Sequence, residues 1–110
     1  MRIHLIKRQT IENFARNNTG SRSSFFSWLA ILKNASWNKP ADILKTFNSA
    51  DLLGKNTNRI IFDIAGNKYR MICKYYFGKS KVRLFVCWIG THAEYTKLCN
   101  DQKQYTVNNF

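Results

Sequence analysis

The chain has 110 residues, 45% of them apolar and 15% aromatic, a length and composition that suit one domain with a single core and exclude wholesale disorder. Eighteen Lys and Arg stand against six Asp and Glu, and the formal net charge of +12 points to polyanionic partners. No run of about 18 apolar residues could span a membrane, and Met1-Arg2-Ile3-His4-Leu5-Ile6-Lys7-Arg8 is too charged for a signal sequence, so cytoplasmic residence is expected.

Residues 2–6 alternate polar and apolar, as a short half-buried strand does. Ile11, Phe14 and Ala15 fall at helical spacing between Thr10 and Asn17, and Asn17-Asn18-Thr19-Gly20-Ser21 breaks the pattern. Phe25, Phe26, Trp28, Leu29 and Leu32 then mark a second amphipathic helix over residues 22–35, completing a helical hairpin. Pro40 opens a short helical turn through Phe47, since proline is tolerated at a first helical position. Residues 49–57 form a polar loop.

The period then changes. Arg59 to Ile64 reads as a strand, Lys68 to Phe77 as a longer one and Lys81 to Ile89 as a third, with turns at Ala65-Gly66-Asn67 and Gly78-Lys79-Ser80. These links are too short for crossover helices, so the strands form an antiparallel meander. Thr91-His92-Ala93-Glu94 fits a capping box that opens a late helix through about Cys99. Tyr105-Thr106-Val107 is expected as an edge strand, or the tail from 100 to 110 as a flexible extension. The expected class is α+β, one domain over residues 1–110, with an N-terminal strand and helical hairpin packed on one face of a twisted antiparallel sheet. The opposite face is left for binding.

Alternation assigns Lys68, Arg70, Ile72, Lys74 and Tyr76 to one face of the long strand and Tyr69, Met71, Cys73, Tyr75 and Phe77 to the core. On the next strand Lys81, Arg83, Phe85, Cys87 and Ile89 oppose Val82, Leu84, Val86 and Trp88. The basic sides of both strands, joined by Arg59 and by Lys79 in the turn, can converge into a cationic cradle for RNA phosphate. A solvated strand face usually mixes signs, whereas Asp63 is the single acid between Arg59 and Ile89. Nucleic acid is therefore the leading partner class. An acidic protein is a second, and an anionic membrane surface is disfavoured because no segment is a basic amphipathic helix. His92 and Tyr95 lie three apart, so they share a side of the late helix, and His92 falls in its first turn, where the dipole favours anions. Imidazole can act as acid or base near neutrality. His4, on the first strand, reads as structural. Cys73, Cys87 and Cys99 form neither a closed disulfide set nor a C-x-x-C, and no metal site or cofactor is expected.

Four stretches carry a resemblance. Trp37-Asn38-Lys39-Pro40-Ala41-Asp42-Ile43, Ser49-Ala50-Asp51, Asn58 through Arg70 with its Gly66-Asn67-Lys68-Tyr69-Arg70 block, and Ile89-Gly90-Thr91-His92-Ala93-Glu94-Tyr95 together resemble the HigB-type toxins of bacterial toxin–antitoxin pairs. The likeness runs from the first strand to about Leu98. It implies a RelE-like fold and a metal-independent mRNA endonuclease, acting on the ribosome, in which a ribose 2′-hydroxyl attacks its own phosphate and leaves a cyclic phosphate. It also implies a helix-turn-helix antitoxin of the HigA type, through which the toxin would associate indirectly with operator DNA. Carried over by position, Arg70 clamps the scissile phosphate and His92 is general base or acid. Tyr95 aids proton transfer or stacks on a base, Lys68, Lys74 and Arg83 add electrostatic stabilisation, and Arg59, Lys74, Lys79, Lys81 and Arg83 grip RNA. Asp63 stands where an Asn is more usual, and the tail beyond Asn100 departs from the pattern. A non-catalytic RNA- or ribosome-binding module that inhibits translation is the alternative reading.

Overall fold

The computed structural model describes residues 1–110. Strand β1 (Arg2–Ile6) leads into helix α1 (Arg8–Asn17), a single 3-10 turn (Thr19–Ser21) and helix α2 (Arg22–Lys33). Helix α3 (Pro40–Thr46) follows, then strands β2 (Asp51–Leu52), β3 (Arg59–Ile64), β4 (Tyr69–Phe77) and β5 (Lys81–Thr91), and helix α4 (His92–Asn100). The sheet order is β1-β5-β4-β3-β2. The architecture is the expected α+β, RelE-like one with a late helix after the strands.

The helices cover one face because their apolar stripes demand it. Ile11 and Ala15 of α1 and Phe25, Trp28, Leu29 and Leu32 of α2 are buried against Ile60, Phe62, Met71, Cys73, Val82, Leu84 and Val86 of the sheet. Phe26, counted with the apolar stripe by spacing, is half-exposed. Trp28 stacks on Phe47 at 5.4 Å and meets Phe62 edge-on at 5.1 Å. Burying side chains of this size stabilises the fold by about 1.5–3 kcal/mol each. The Trp37 to Asp42 stretch proves architectural. Trp37 is fully buried and its Nε1 donates to Thr46 Oγ1 at 2.9 Å. Asp42 Oδ2 accepts from the Asn38 and Lys39 amides at 2.8 and 3.2 Å, capping α3.

Three features depart from the sequence expectation. First, the sheet is mixed: β3, β4 and β5 form the expected antiparallel meander, but β1 lies parallel beside β5, from Arg2 opposite Lys81 to Ile6 opposite Phe85. No local turn fixes the direction of β1, so spacing along the chain could not reveal it. The loop after α3 also contributes the two-residue edge strand β2, paired with β3.

Second, a β-bulge interrupts the β4–β5 ladder. Ile72 pairs with Trp88 but Cys73 pairs with Val86, leaving Cys87 as the extra residue. Strict alternation placed Trp88 in the helix-covered core and Ile89 outside it. The bulge reverses both: Ile89 joins the main core, and Trp88 joins Ile61, Ile72 and Cys87 on the other face.

Third, that other face is only partly open. Helix α4 and the tail cross it, with Tyr95, Leu98 and Val107 packed on the Ile61, Ile72, Cys87 and Trp88 cluster. The tail forms turns and adds no edge strand. Its carbonyls are instead taken by a guanidinium: Arg59 Nη1 donates to Gln104 O at 3.2 Å and to Val107 O at 2.7 Å. The Asn109 amide closes the strap on Cys87 O at 2.8 Å.

Candidate functional site

The β3–β4 hairpin places Asp63 opposite Arg70, and the β4–β5 ladder places Gly90 on the other side of Arg70. Arg70 Nη2 donates to Asn67 Oδ1 at 2.7 Å. Its Nε lies 3.4 Å from Asp63 Oδ1, a charge contact without hydrogen-bond geometry, and that buried Nε has no hydrogen-bond partner. The guanidinium carbon sits 5.0 Å from the centre of the Tyr95 ring, which also packs against Trp88 at 6.0 Å.

Helix α4 reaches this arginine because of its capping box. Thr91 Oγ1 accepts from the Glu94 amide at 3.2 Å and Glu94 Oε1 accepts from the Thr91 amide at 2.8 Å. The His92 amide donates to Lys68 O at 2.9 Å, which ties the start of α4 to the start of β4. Lys68, Arg70, His92 and Tyr95 therefore gather at one end of the sheet, with Lys68 and His92 exposed and Arg70 and Tyr95 half-buried. Gly90 makes this possible. A Cβ there would stand 2.5 Å from the Trp88 ring and 3.1 Å from Glu94 Oε1. One expectation is revised here. The amides of Thr91, His92 and Glu94 are already bonded and a carboxylate sits beside them, so the start of α4 offers an anion less than its dipole suggests.

Burial drives the Tyr95 phenol well above the ordinary tyrosine range. The neighbouring Cys99 thiol adds to the effect and Arg70 offsets only part of it. The phenol thus stays protonated at neutral pH. Burial likewise pushes the Cys87 thiol up, opposed by the charges of Arg59 and Lys74.

The remaining basic residues do not join this group. The row formed by Ile61, Ile72 and Trp88 interrupts the basic face. Beyond it, Lys74 and Arg83 line a cleft of about 600 Å³ together with Lys7, Tyr76, Phe85, Asn108 and Phe110. The exposed Lys79 and half-buried Lys81 stand farther out, at the tip of the β4–β5 hairpin. Arg59, expected to grip RNA, is 7% exposed and spends one nitrogen on holding the tail. Its burial reflects partners more than 40 residues away, which strand periodicity does not register. Sequence reasoning also passed over Asn67, the bonded partner of Arg70, and the tail residues Asn108 and Phe110. Asn67 is legible from the hairpin register; the tail carries no periodic signal.

A family model, HigB_toxin, the RelE-like toxic component of a toxin-antitoxin system, matches residues 21–98. The chain belongs to the HigB toxin family. A search of curated proteins gave no match. The family match runs from α2 into α4, so it includes every member of the Lys68, Arg70, His92 and Tyr95 group and stops short of the tail. As a HigB toxin, the chain has an antitoxin as its partner. No helix is long and apolar enough to cross a membrane, and no group of three or more His, Cys, Asp or Glu side chains is placed to hold a metal ion.

Proposed function

We propose that this HigB toxin is an mRNA endoribonuclease whose active groups are Lys68, Arg70, His92 and Tyr95. The observation that supports the reading is the Arg70 guanidinium 5.0 Å from the centre of the protonated Tyr95 ring, on a helix whose first amide, that of His92, is bonded to the Lys68 carbonyl. Cleavage begins when a base removes the proton of a ribose 2′-hydroxyl, whose oxygen attacks the adjacent phosphorus. The P–O5′ bond breaks, a 2′,3′-cyclic phosphate forms, and the departing 5′-oxygen takes up a proton. Imidazoles exchange protons near neutrality, which suits His92 to one of these transfers. Tyr95, held protonated, suits donation or stacking on a base. Arg70 and Lys68 oppose the charge that grows on the phosphoryl oxygens, an effect that no bound metal ion is needed to supply in this proposal.

Lys74, Lys79, Lys81 and Arg83 extend the grip along the strand ends, and the net charge of +12 favours association with the polyanionic ribosome and the mRNA it carries. The proposed site of action is the translating ribosome in the cytoplasm, and the proposed antitoxin is a helix-turn-helix protein of the HigA type that links the toxin to operator DNA. Mapping mRNA 5′ ends after induction tests the activity. Discrete new ends bearing 5′-hydroxyls are expected; an unchanged end map sinks the proposal.

One observation favours a second reading, a non-catalytic module that binds RNA or the ribosome and blocks translation. Arg70 already has Asp63 and Asn67 as partners, which reduces its capacity for a bidentate phosphate clamp. That reading predicts growth arrest with no new mRNA ends.

A further inference from the structure

The cleft below the Ile61, Ile72 and Trp88 row combines three kinds of group. Lys74 and Arg83 supply cations, Tyr76, Phe85 and Phe110 supply aromatic faces, and Asn108 supplies an amide able to donate and accept. Tyr76 and Phe110 are 56% and 54% exposed, unusually open for large aromatic side chains, and the Arg83 guanidinium already lies 5.9 Å from the Tyr76 ring centre. Its volume, about 600 Å³, falls in the range of small-molecule sites. None of Lys68, Arg70, His92 or Tyr95 lines it. From Arg70 to Lys74 along β4 is about 13 Å, so the two places address different nucleotides of one strand.

The tail makes this cleft what it is. Arg59 fixes the carbonyls of Gln104 and Val107, and the Asn109 amide bonds Cys87 O, so Asn108 and Phe110 are delivered to the rim by a strap anchored on both sides. We infer that the cleft is a nucleotide-binding subsite, in which one base of single-stranded RNA stacks on Phe110 and Phe85, its phosphate meets Lys74 and Arg83, and Asn108 reads the base edge. The inference deepens the ribonuclease reading and rests on it only for the identity of the strand. It makes the tail, which the family match leaves out, a determinant of where on an RNA the toxin engages.

The probes are fully 2′-O-methylated homohexamers of A, C and U, which lack the attacking hydroxyl and cannot be cleaved by the proposed route. The full-length toxin is expected to prefer one base over the others by about tenfold, the discrimination of a good amide–base contact. Phe110→Ala should weaken all three hexamers about tenfold, and Phe110→Tyr should keep the affinity because the ring remains. Asn108→Ala should level the differences between bases. Replacing Lys74 and Arg83 by Ala should reduce the slope of log affinity against log salt by about 0.7 for each phosphate left without its cation. Unfolding midpoints equal to that of the unsubstituted toxin exclude loss of the fold. Hexamer affinities that ignore every one of these substitutions overturn the inference, as does a loss confined to antitoxin binding, which would assign the cleft to a protein partner. Tail-dependent hexamer binding without mRNA cuts in cells would retain the subsite and remove the ribonuclease reading; cuts with tail-independent binding would do the reverse.

Discussion

Asp63 faces Arg70 across the β3–β4 ladder with 3.4 Å between Oδ1 and Nε, so the cation at the centre of the candidate site carries its own counter-charge. Both side chains keep about a fifth of their surface in water, at 19% and 24% exposure. With about four-fifths of each side chain buried, desolvation offsets much of the Coulomb gain, so the pair adds little net stability. Its larger effect is on the field that an incoming phosphate meets. Asp63→Asn should leave the unfolding midpoint within a few degrees and tighten RNA binding severalfold. A binding titration at two salt concentrations checks this, and equal or weaker affinity would show that Asp63 positions Arg70 more than it neutralises it.

Gly90 is the residue that leaves room for the Trp88 ring close to the strand. With a Cβ at 2.5 Å from two ring atoms, Gly90→Ala must shift either the indole or the strand. Overpacking of this kind costs about 1–3 kcal/mol. Tyr95 rests on that same indole, so activity should fall further than stability does. Chemical denaturation together with a growth-arrest assay separates the two losses.

Arg59 offers a test of the strap. Its two bonds from Nη1 to tail carbonyls are charge-assisted, and such bonds contribute about 1.5–3 kcal/mol each at most. Arg59→Ala should lower overall stability and raise amide exchange over residues 104–109, leaving the Arg70 and Tyr95 contact in place. Exchange confined to other segments would mean that Val107 packing and the Asn109 bond to Cys87 O hold the tail without Arg59.

The pH dependence follows from Tyr95. Its phenol is raised in the folded chain relative to the ordinary value of 10.0, first by burial and then by Cys99. The folded state therefore favours the neutral phenol. This contribution is fully present below pH 10 and fades as pH climbs through the raised folded value. Alkaline unfolding should accordingly begin above pH 10 and move to higher pH in Tyr95→Phe. An unchanged alkaline midpoint in that variant would assign the transition to other groups, among them Tyr75, which burial also raises.

Much of this architecture is written locally. The turn residues at 65–67 and 78–80, the alternation of β3 and β4, and the capping box at Thr91 each act within a few residues, and the strands and α4 appear where those signals place them. The rest depends on distant partners. An extra residue at Cys87 has no signature in an alternating apolar run, so the exchange of Trp88 and Ile89 between faces could not be read. The parallel seat of β1 depends on the whole chain between β1 and β5. The basic face looked continuous because Arg70, Lys74, Lys81 and Arg83 fall on the same side by alternation; the indole turned outward by the bulge, backed by Ile61 and Ile72, divides it in two. For the site, spacing linked His92 to Tyr95 and the strand pattern linked Lys68 to Arg70, and the structure brings the two pairs together through the Lys68 carbonyl and the Tyr95 ring. The burial of Arg59 lay beyond any such pattern.

The central claim is that Arg70 and His92 serve one chemical step. Induction of Arg70→Ala, His92→Ala and the double variant, each with its unfolding midpoint verified, measures this through the rate at which discrete mRNA ends appear. Groups acting as a unit give strongly non-additive losses, so each single substitution should already reduce cleavage to the level of the double. Full cleavage by the folded double variant, or losses that simply multiply, would contradict a shared site.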